Sequence, residues 1–179
     1  MQQISPIRVF EYSGATQFNA AALQAIASLE PEDYRERSHF LAGRFENLYL
    51  DEARIPGLAV LLEDILTCAG DILGRAPRNL RRGFWLNRMA PGQATSRHAH
   101  AENDELLSGV YYIQVPPESG DLLFADDPFE IRVRPRAGMC VLFDPELPHW
   151  VEAHRGQGER VSLALNIGPL DATDSAQVA

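Results

Sequence analysis

Apolar residues along this chain recur with two different periods, and the change between them falls near Leu80. Ahead of it, Leu58, Leu61, Leu62, Ile65, Ala69 and Ile72 return at three- and four-residue spacing, while Glu63, Thr67 and Asp71 take the opposite side. That is the period of an α-helix with one buried face. Pro56 near its start and Gly74 just past its end are the expected punctuation, since proline suits a first helical turn and glycine a left-handed close. A shorter helix is predicted from Asn19, whose side chain can cap it, towards Leu29, with Ala22, Leu23 and Ile26 on one side. With one strand around Ile7 to Glu11 before it, the segment 1–78 reads as a mainly helical leader.

Beyond Leu80 the pattern becomes short strands divided by turn residues. Strands are predicted near 83–90, 106–115, 121–124, 130–134, 139–143, 149–151 and 160–167. Proline- and glycine-bearing pieces at 116–120, 136–138 and 154–158 separate several of them. Many short strands at close spacing predict a sandwich or barrel, and helices gathered ahead of them predict one covered sheet face. The expected fold is therefore mainly β with helices: a jelly-roll core over 79–170 under N-terminal helices, as a single domain spanning 1–179.

Composition narrows the class. With 45% apolar and 23% charged residues the chain is globular, and no apolar run approaches the roughly 20 residues that span a bilayer. The start lacks a basic stretch followed by an apolar one, and Cys68 and Cys140 are isolated from each other in apolar segments. Both features predict a cytoplasmic protein with reduced thiols and no membrane partner. A net charge of −9 argues against nucleic acid, whose phosphates need clustered positive charge. Arg75, Arg78, Arg81, Arg82, Arg88 and Arg97 do follow one another without an intervening acid, but no aromatic platform accompanies them, so they read as a solvated basic face. All 16 cations are arginine; without lysine, Schiff-base chemistry and a Walker phosphate site are excluded.

The sharpest chemical signal is His98-Ala99-His100. In a strand, residues two apart point to the same face, so both imidazoles can reach one ion. Histidine suits Fe, Zn, Ni and Cu alike, so the pair does not choose the metal. His149, which follows the Pro145-Glu146-Leu147-Pro148 corner, is the candidate third ligand. The competing reading makes His98 and His100 exposed loop residues beside an acidic run. His39 and His154 lack partners at ligand spacing and read as surface residues. On the last strand, Arg160, Ser162, Ala164 and Asn166 alternate with Val161, Leu163, Leu165 and Ile167. Two orientations fit: a strand with a wet outer face, or one whose apolar side meets the helices while its polar side lines a cavity.

From Trp85 to Ile167 the chain resembles the 2-oxoglutarate- and Fe(II)-dependent oxygenases. Within them it is most similar to a bacterial group with His-x-His where most members have His-x-Asp. The matching pieces are Trp85-Leu86-Asn87, Gly92, His98-Ala99-His100, Leu107 to Tyr112, Ser119-Gly120-Asp121-Leu122, Leu147-Pro148-His149, and Arg160-Val161-Ser162 to Asn166-Ile167. The resemblance implies a double-stranded β-helix holding Fe(II), with His98 as the proximal ligand and His149 as the distal one. It also implies that Arg160, followed at i+2 by Ser162, holds the far carboxylate of 2-oxoglutarate, with Tyr112 and Asn87 adding hydrogen bonds. The reaction implied is hydroxylation of a small-molecule or peptide substrate by molecular oxygen, coupled to decarboxylation of 2-oxoglutarate to succinate.

The usual triad is two histidines and one carboxylate, yet His100 stands at the carboxylate position. Either His100 is the third ligand or an acid comes from nearby, Glu102 or Glu105 being the candidates. The same residues also resemble the cupins, a sister jelly roll that would use His98, His100, Glu105 and His149 on Mn, Fe, Ni or Zn. The cupin pattern leaves the stretch from Leu107 to Tyr112 and the pair Arg160 and Ser162 without a role.

Overall fold

The computed structural model of the protein describes residues 7–41, 43–100 and 104–170. Among the described residues there are eleven strands: β1 (Ile7–Glu11), β2 (Tyr34–Leu41), β3 (Arg44–Leu50), β4 (Leu80–Met89), β5 (Thr95–His98), β6 (Leu107–Gln114), β7 (Leu122–Asp126), β8 (Phe129–Val133), β9 (Met139–Phe143), β10 (His149–Val151) and β11 (Arg160–Pro169). The helices are α1 (Ala15–Ala27) and α2 (Leu58–Leu73). One sheet runs β1-β9-β6-β11-β4-β3-β2 and the other β5-β10-β7-β8.

The sequence of β9, Met-Cys-Val-Leu-Phe, shows why the layers stack as they do. Every residue is buried. Met139, Val141 and Phe143 join Tyr112, Leu122, Phe124 and Leu147 in a core between the sheets, while Cys140 and Leu142 join the helix-side core with Leu61, Leu62 and Ile65. A strand covered on both faces needs apolar residues at consecutive positions, which is its pattern. The architecture is a jelly roll with helices behind its larger sheet.

α2 is bounded by two glycines in the left-handed region, Gly57 at φ 81° and Gly74 at φ 64°. Its buried stripe is Leu58, Leu61, Leu62, Ile65, Leu66, Ala69 and Gly70. Ile72, expected on that stripe, is 39% exposed, and Leu66 and Gly70 are buried in addition, Gly70 against Arg75 and Pro77 just past the helix. α1 starts four residues earlier than expected, at Ala15. Asn19 therefore lies inside the helix, and its buried amide oxygen accepts a 2.8 Å hydrogen bond from the Tyr111 hydroxyl.

The helical reading of the leader 1–78 is corrected over residues 34–50, where β2 and β3 form a hairpin that extends the larger sheet through Leu48 opposite Leu86. β1 belongs to that sheet too, with Ile7 opposite Phe143. β2 is an edge strand whose residues are mostly exposed, so no buried face imprints an alternation on its sequence. The arginine-rich stretch is also less bare than expected. Arg81 pairs with Asp104, Arg82 with Glu52 and Glu63, and Arg88 with Glu159. Cys140 is buried, Cys68 is half-buried, and both are free thiols. No helix among the described residues is long and apolar enough to cross a membrane.

Candidate metal centre

β5 and β10 pair antiparallel with His98 opposite His149. Directly opposed residues project from the same face of a sheet, and these two rings lie 4.3 Å apart between centroids. His149 packs against the contacting pair Phe143 and Phe124, at 4.7 Å and 6.1 Å. His100 lies two residues past the end of β5, so the expected strand covers only the first of the two neighbouring histidines. Its backbone N–H donates to the Pro145 carbonyl at 2.8 Å, tying it to the corner before β10. That tether returns its ring to within 5.2 Å of His98 and 5.4 Å of His149.

One ligating atom from each of His98, His100 and His149 lies within 4.8 Å of the others. A metal–imidazole bond is about 2.1 Å, so two nitrogens on one ion sit at most about 4.2 Å apart, and small ring rotations close the difference. The tautomers suit a ligand. His98 Nδ1 lies 2.8 Å from the Ser96 carbonyl, and His149 Nδ1 lies 2.9 Å from the Leu147 carbonyl. A carbonyl only accepts, so each Nδ1 carries the hydrogen and each Nε2 keeps its lone pair. Burial pushes His149 down to about 3, with His98 and His100 adding to the effect against the Leu147 carbonyl. Burial and His98 lower His100 as well. Neutral imidazoles converging on one point are a donor set that fits a divalent first-row metal.

These histidines open onto a cavity of about 1170 Å³ whose wall includes Asn87, Tyr112, Arg160 and Ser162. Of the two orientations open for β11, the polar side faces this cavity: Ala164 and Asn166 also line it, while Val161, Leu163, Leu165 and Ile167 belong to the helix-side core. Register places Ser162 opposite Asn87 on β4 and Tyr112 on β6. The Asn87 side-chain oxygen accepts from Arg44 Nη1 at 3.3 Å.

Arg160 is 3% exposed and has no acid paired with it among the described residues. Its Nη1 donates to the Ser119 and Gly120 carbonyls at 3.0 Å and 2.7 Å, and its guanidinium lies 5.1 Å from the Tyr112 ring centre. Gly120 is required there: at φ +83° a Cβ would stand 2.2 Å from the Glu152 carbonyl. Burial lowers the Arg160 pKa, offset in part by Tyr112 and Asp121, but a guanidinium keeps its charge at any neutral pH. The buried Tyr112 hydroxyl has no hydrogen-bond partner among the described residues. Burial pushes its pKa up to about 12, so it stays an O–H donor.

Of the acids considered as ligands, Glu105 lines the cavity but lies outside the converging group, and Glu102 falls outside the described residues. His39 is exposed, as expected. His154 is not a surface residue: it is fully buried, its Nδ1 accepting from the Gly156 N–H at 3.2 Å and its Nε2 reaching the Gly158 carbonyl at 3.1 Å. It pins the turn after β10, a role that spacing does not reveal. Sequence reasoning also missed Arg44 and Glu46. They form a 2.8 Å ion pair that Thr95 joins at 3.1 Å, fastening the β2–β3 hairpin to the start of β5. No motif marks these residues, because their partners come from distant parts of the chain.

Residues 83–132 match the model of the family described as "Putative 2OG-Fe(II) oxygenase". None of the curated proteins matches the sequence. Among solved structures, a Pseudomonas putida prolyl-4-hydroxylase is 19% identical with a TM-score of 0.72, covering 92% of this chain and 93% of its own. A 2OG-Fe(II) oxygenase family oxidoreductase from Burkholderia pseudomallei is 17% identical with a TM-score of 0.65, covering 91% and 84%. HygX from Streptomyces hygroscopicus, with nickel and 2-oxoglutarate bound, is 13% identical with a TM-score of 0.64, covering 92% and 82%. Residues 83–132 are thus similar to the 2OG-Fe(II) oxygenase family, and the chain shares the fold of these solved structures.

Proposed function

We propose that the protein is an Fe(II)- and 2-oxoglutarate-dependent dioxygenase in which His98, His100 and His149 hold the iron and Arg160 holds the far carboxylate of 2-oxoglutarate. The observation that carries this reading is Arg160, a buried cation without an acid partner among the described residues, on the wall of the cavity that the three histidines share. A buried charge is costly unless something pairs with it, and a guanidinium fork matches a carboxylate. When bound, Fe(II) and 2-oxoglutarate supply oxygen activation coupled to decarboxylation of the keto acid to succinate.

The chain's own share is positioning. The Ser119 and Gly120 carbonyls fix one arm of the Arg160 fork, so the other donors are presented without further ordering. The unpartnered Tyr112 hydroxyl, a protonated phenol, would donate a second hydrogen bond to the same carboxylate. Ser162 and Asn87 face the co-substrate from the adjacent strands. Leu122, Phe143 and Val151 supply apolar wall. The Ser96 and Leu147 carbonyls hold Nδ1 of His98 and His149, leaving each Nε2 lone pair for the metal that the three histidines would bind. The substrate is a small molecule or a peptide: among structures with this fold, one prolyl hydroxylase from Trichoplax adhaerens is seen with a peptide fragment. The free thiols of Cys68 and Cys140 support a cytoplasmic location.

The deciding experiment loads the protein with Fe(II) without oxygen, adds 2-oxoglutarate, admits oxygen and measures succinate, first alone and then with candidate substrates. Slow succinate formation that needs both iron and oxygen is the expected result. A protein that neither binds 2-oxoglutarate nor converts it overturns the reading.

A further inference from the structure

Among the described residues, four acids line the cavity: Glu46, Asp51, Glu52 and Glu105. The first three have partners. Glu46 accepts from Arg44 and Thr95, Asp51 from the Ala53 N–H, and Glu52 from Arg82. Glu105 differs. Its Oε2 is buried with no hydrogen-bond partner, and none of the described residues forms an ion pair with it. It stands within electrostatic reach of His100 but outside the group whose ligating atoms converge.

His100 is flanked by an aromatic wall as well. The Trp85 ring lies 6.4 Å from it, and Tyr49 lies 6.0 Å from Trp85. Trp85 is opposite Ala164, on the cavity side of β4, and both aromatic residues line the cavity. Among the described residues, arginines lie over Phe45, Trp150 and Tyr112, and none lies over Trp85 or Tyr49. Their faces are therefore free of an internal cation. A carboxylate oxygen lacking a donor and a cavity-lining aromatic pair without a cation are two separate features that favour the same ligand chemistry, a positively charged nitrogen with N–H groups.

We propose that the His100 end of the cavity binds a cationic nitrogen of the substrate, an ammonium or guanidinium group, with Glu105 as its counter-charge and Trp85 and Tyr49 as its aromatic wall. The consequence for catalysis rests on the oxygenase reading above; the cation binding itself does not. It assigns the substrate to the basic molecules, whether a free amine or guanidine or the side chain of a basic residue in a peptide.

The test is calorimetric titration of the Fe(II)- and 2-oxoglutarate-loaded protein without oxygen, and of the metal-free protein, with butylammonium, butylguanidinium, butyramide and butyrate. Both cations are expected to bind about tenfold or more tighter than the neutral and anionic probes. Glu105→Gln should remove that preference while retaining iron and 2-oxoglutarate binding, and Trp85→Leu should weaken both cations. Equal affinity for cations and butyramide in the parent, a measurement that needs no variant, overturns the proposal. So does a preference that survives Glu105→Gln, or loss of iron in Glu105→Gln, which would put this carboxylate in the metal centre. A parent that binds no 2-oxoglutarate but keeps the cation preference without metal defeats the oxygenase reading and leaves this one standing.

Discussion

His98 and His149 face each other across the β5–β10 pair with ring centroids 4.3 Å apart, and each Nδ1 is tied to the carbonyl two residues before it. Ser96 lies within β5 and Leu147 in the corner just before β10, so each ring is fixed by its own local backbone. The two imidazoles are thus preorganised, with His149 walled in by Phe124 and Phe143. Such a pair needs little rearrangement to take a metal.

His98→Ala and His149→Ala should each reduce Fe(II) occupancy to near nothing in protein purified and reloaded without chelator, while the circular dichroism of the sheets persists. His149→Ala should also lower the unfolding midpoint, because it leaves a hole beside the Phe124–Phe143 pair. Full iron occupancy in His149→Ala would remove it from the metal centre.

The third position separates His100 from Glu105. His100→Ala should lose metal, since its ring belongs to the converging group, and Glu105→Ala should retain it. The reverse outcome, iron kept by His100→Ala and lost by Glu105→Ala, would replace this ligand set by one with a carboxylate.

How far the sequence carried this reading depended on whether a residue's partner imprints a pattern. β9 and β11 were legible because a strand buried against a helix layer or another sheet must be apolar on the covered side. The β2–β3 hairpin was not, since an edge strand such as Tyr34–Leu41 mostly faces solvent. His98, His100 and His149 were legible as chemistry, yet β5, which carries His98, holds no apolar residue and gave no strand signal. His154 was misread because its partners, the backbone of Gly156 and Gly158, have no side-chain signature. Glu105 could be named as a metal-ligand candidate, but its lack of a partner is a property of three dimensions alone.

The metal-free protein should lose stability in mild acid through His149. Its folded-state pKa is pushed down from 6.5 to about 3, first by burial. Below pH 6.5 the unfolded chain takes up this proton and the folded one does not, so stability falls with pH until the folded form also protonates near 3. The slope is at most about 1.4 kcal/mol per pH unit, giving roughly 2 kcal/mol between pH 6.5 and 5. His100, lowered in the same direction, adds to it. Urea unfolding of chelator-treated protein at the two pH values measures the loss, and His149→Gln should show a smaller one. Identical pH dependence in parent and variant would mean that the imidazole is not held neutral by the fold.

Arg160 discriminates most directly between a 2-oxoglutarate enzyme and a jelly roll that merely binds metal. The guanidinium is nearly inaccessible, anchored by two carbonyls and stacked near Tyr112, so a carboxylate reaching it would be desolvated on arrival. Removing one partner of a buried, hydrogen-bonded ion pair costs about 3–5 kcal/mol, a factor of order 10² to 10³ in affinity. Arg160→Ala should raise the 2-oxoglutarate concentration needed for half-maximal succinate formation by about that factor. Iron binding should stay near the parent value, because Arg160 is not among the converging ligands. Arg160→Lys should recover little, since an ammonium held by the two carbonyls cannot also offer a parallel pair of N–H donors. Tyr112→Phe, which deletes only the unpartnered hydroxyl, should raise the same requirement by a smaller factor, about tenfold. If Arg160→Ala binds 2-oxoglutarate as tightly as the parent, the far carboxylate lies elsewhere and the assignment of this cavity end is wrong.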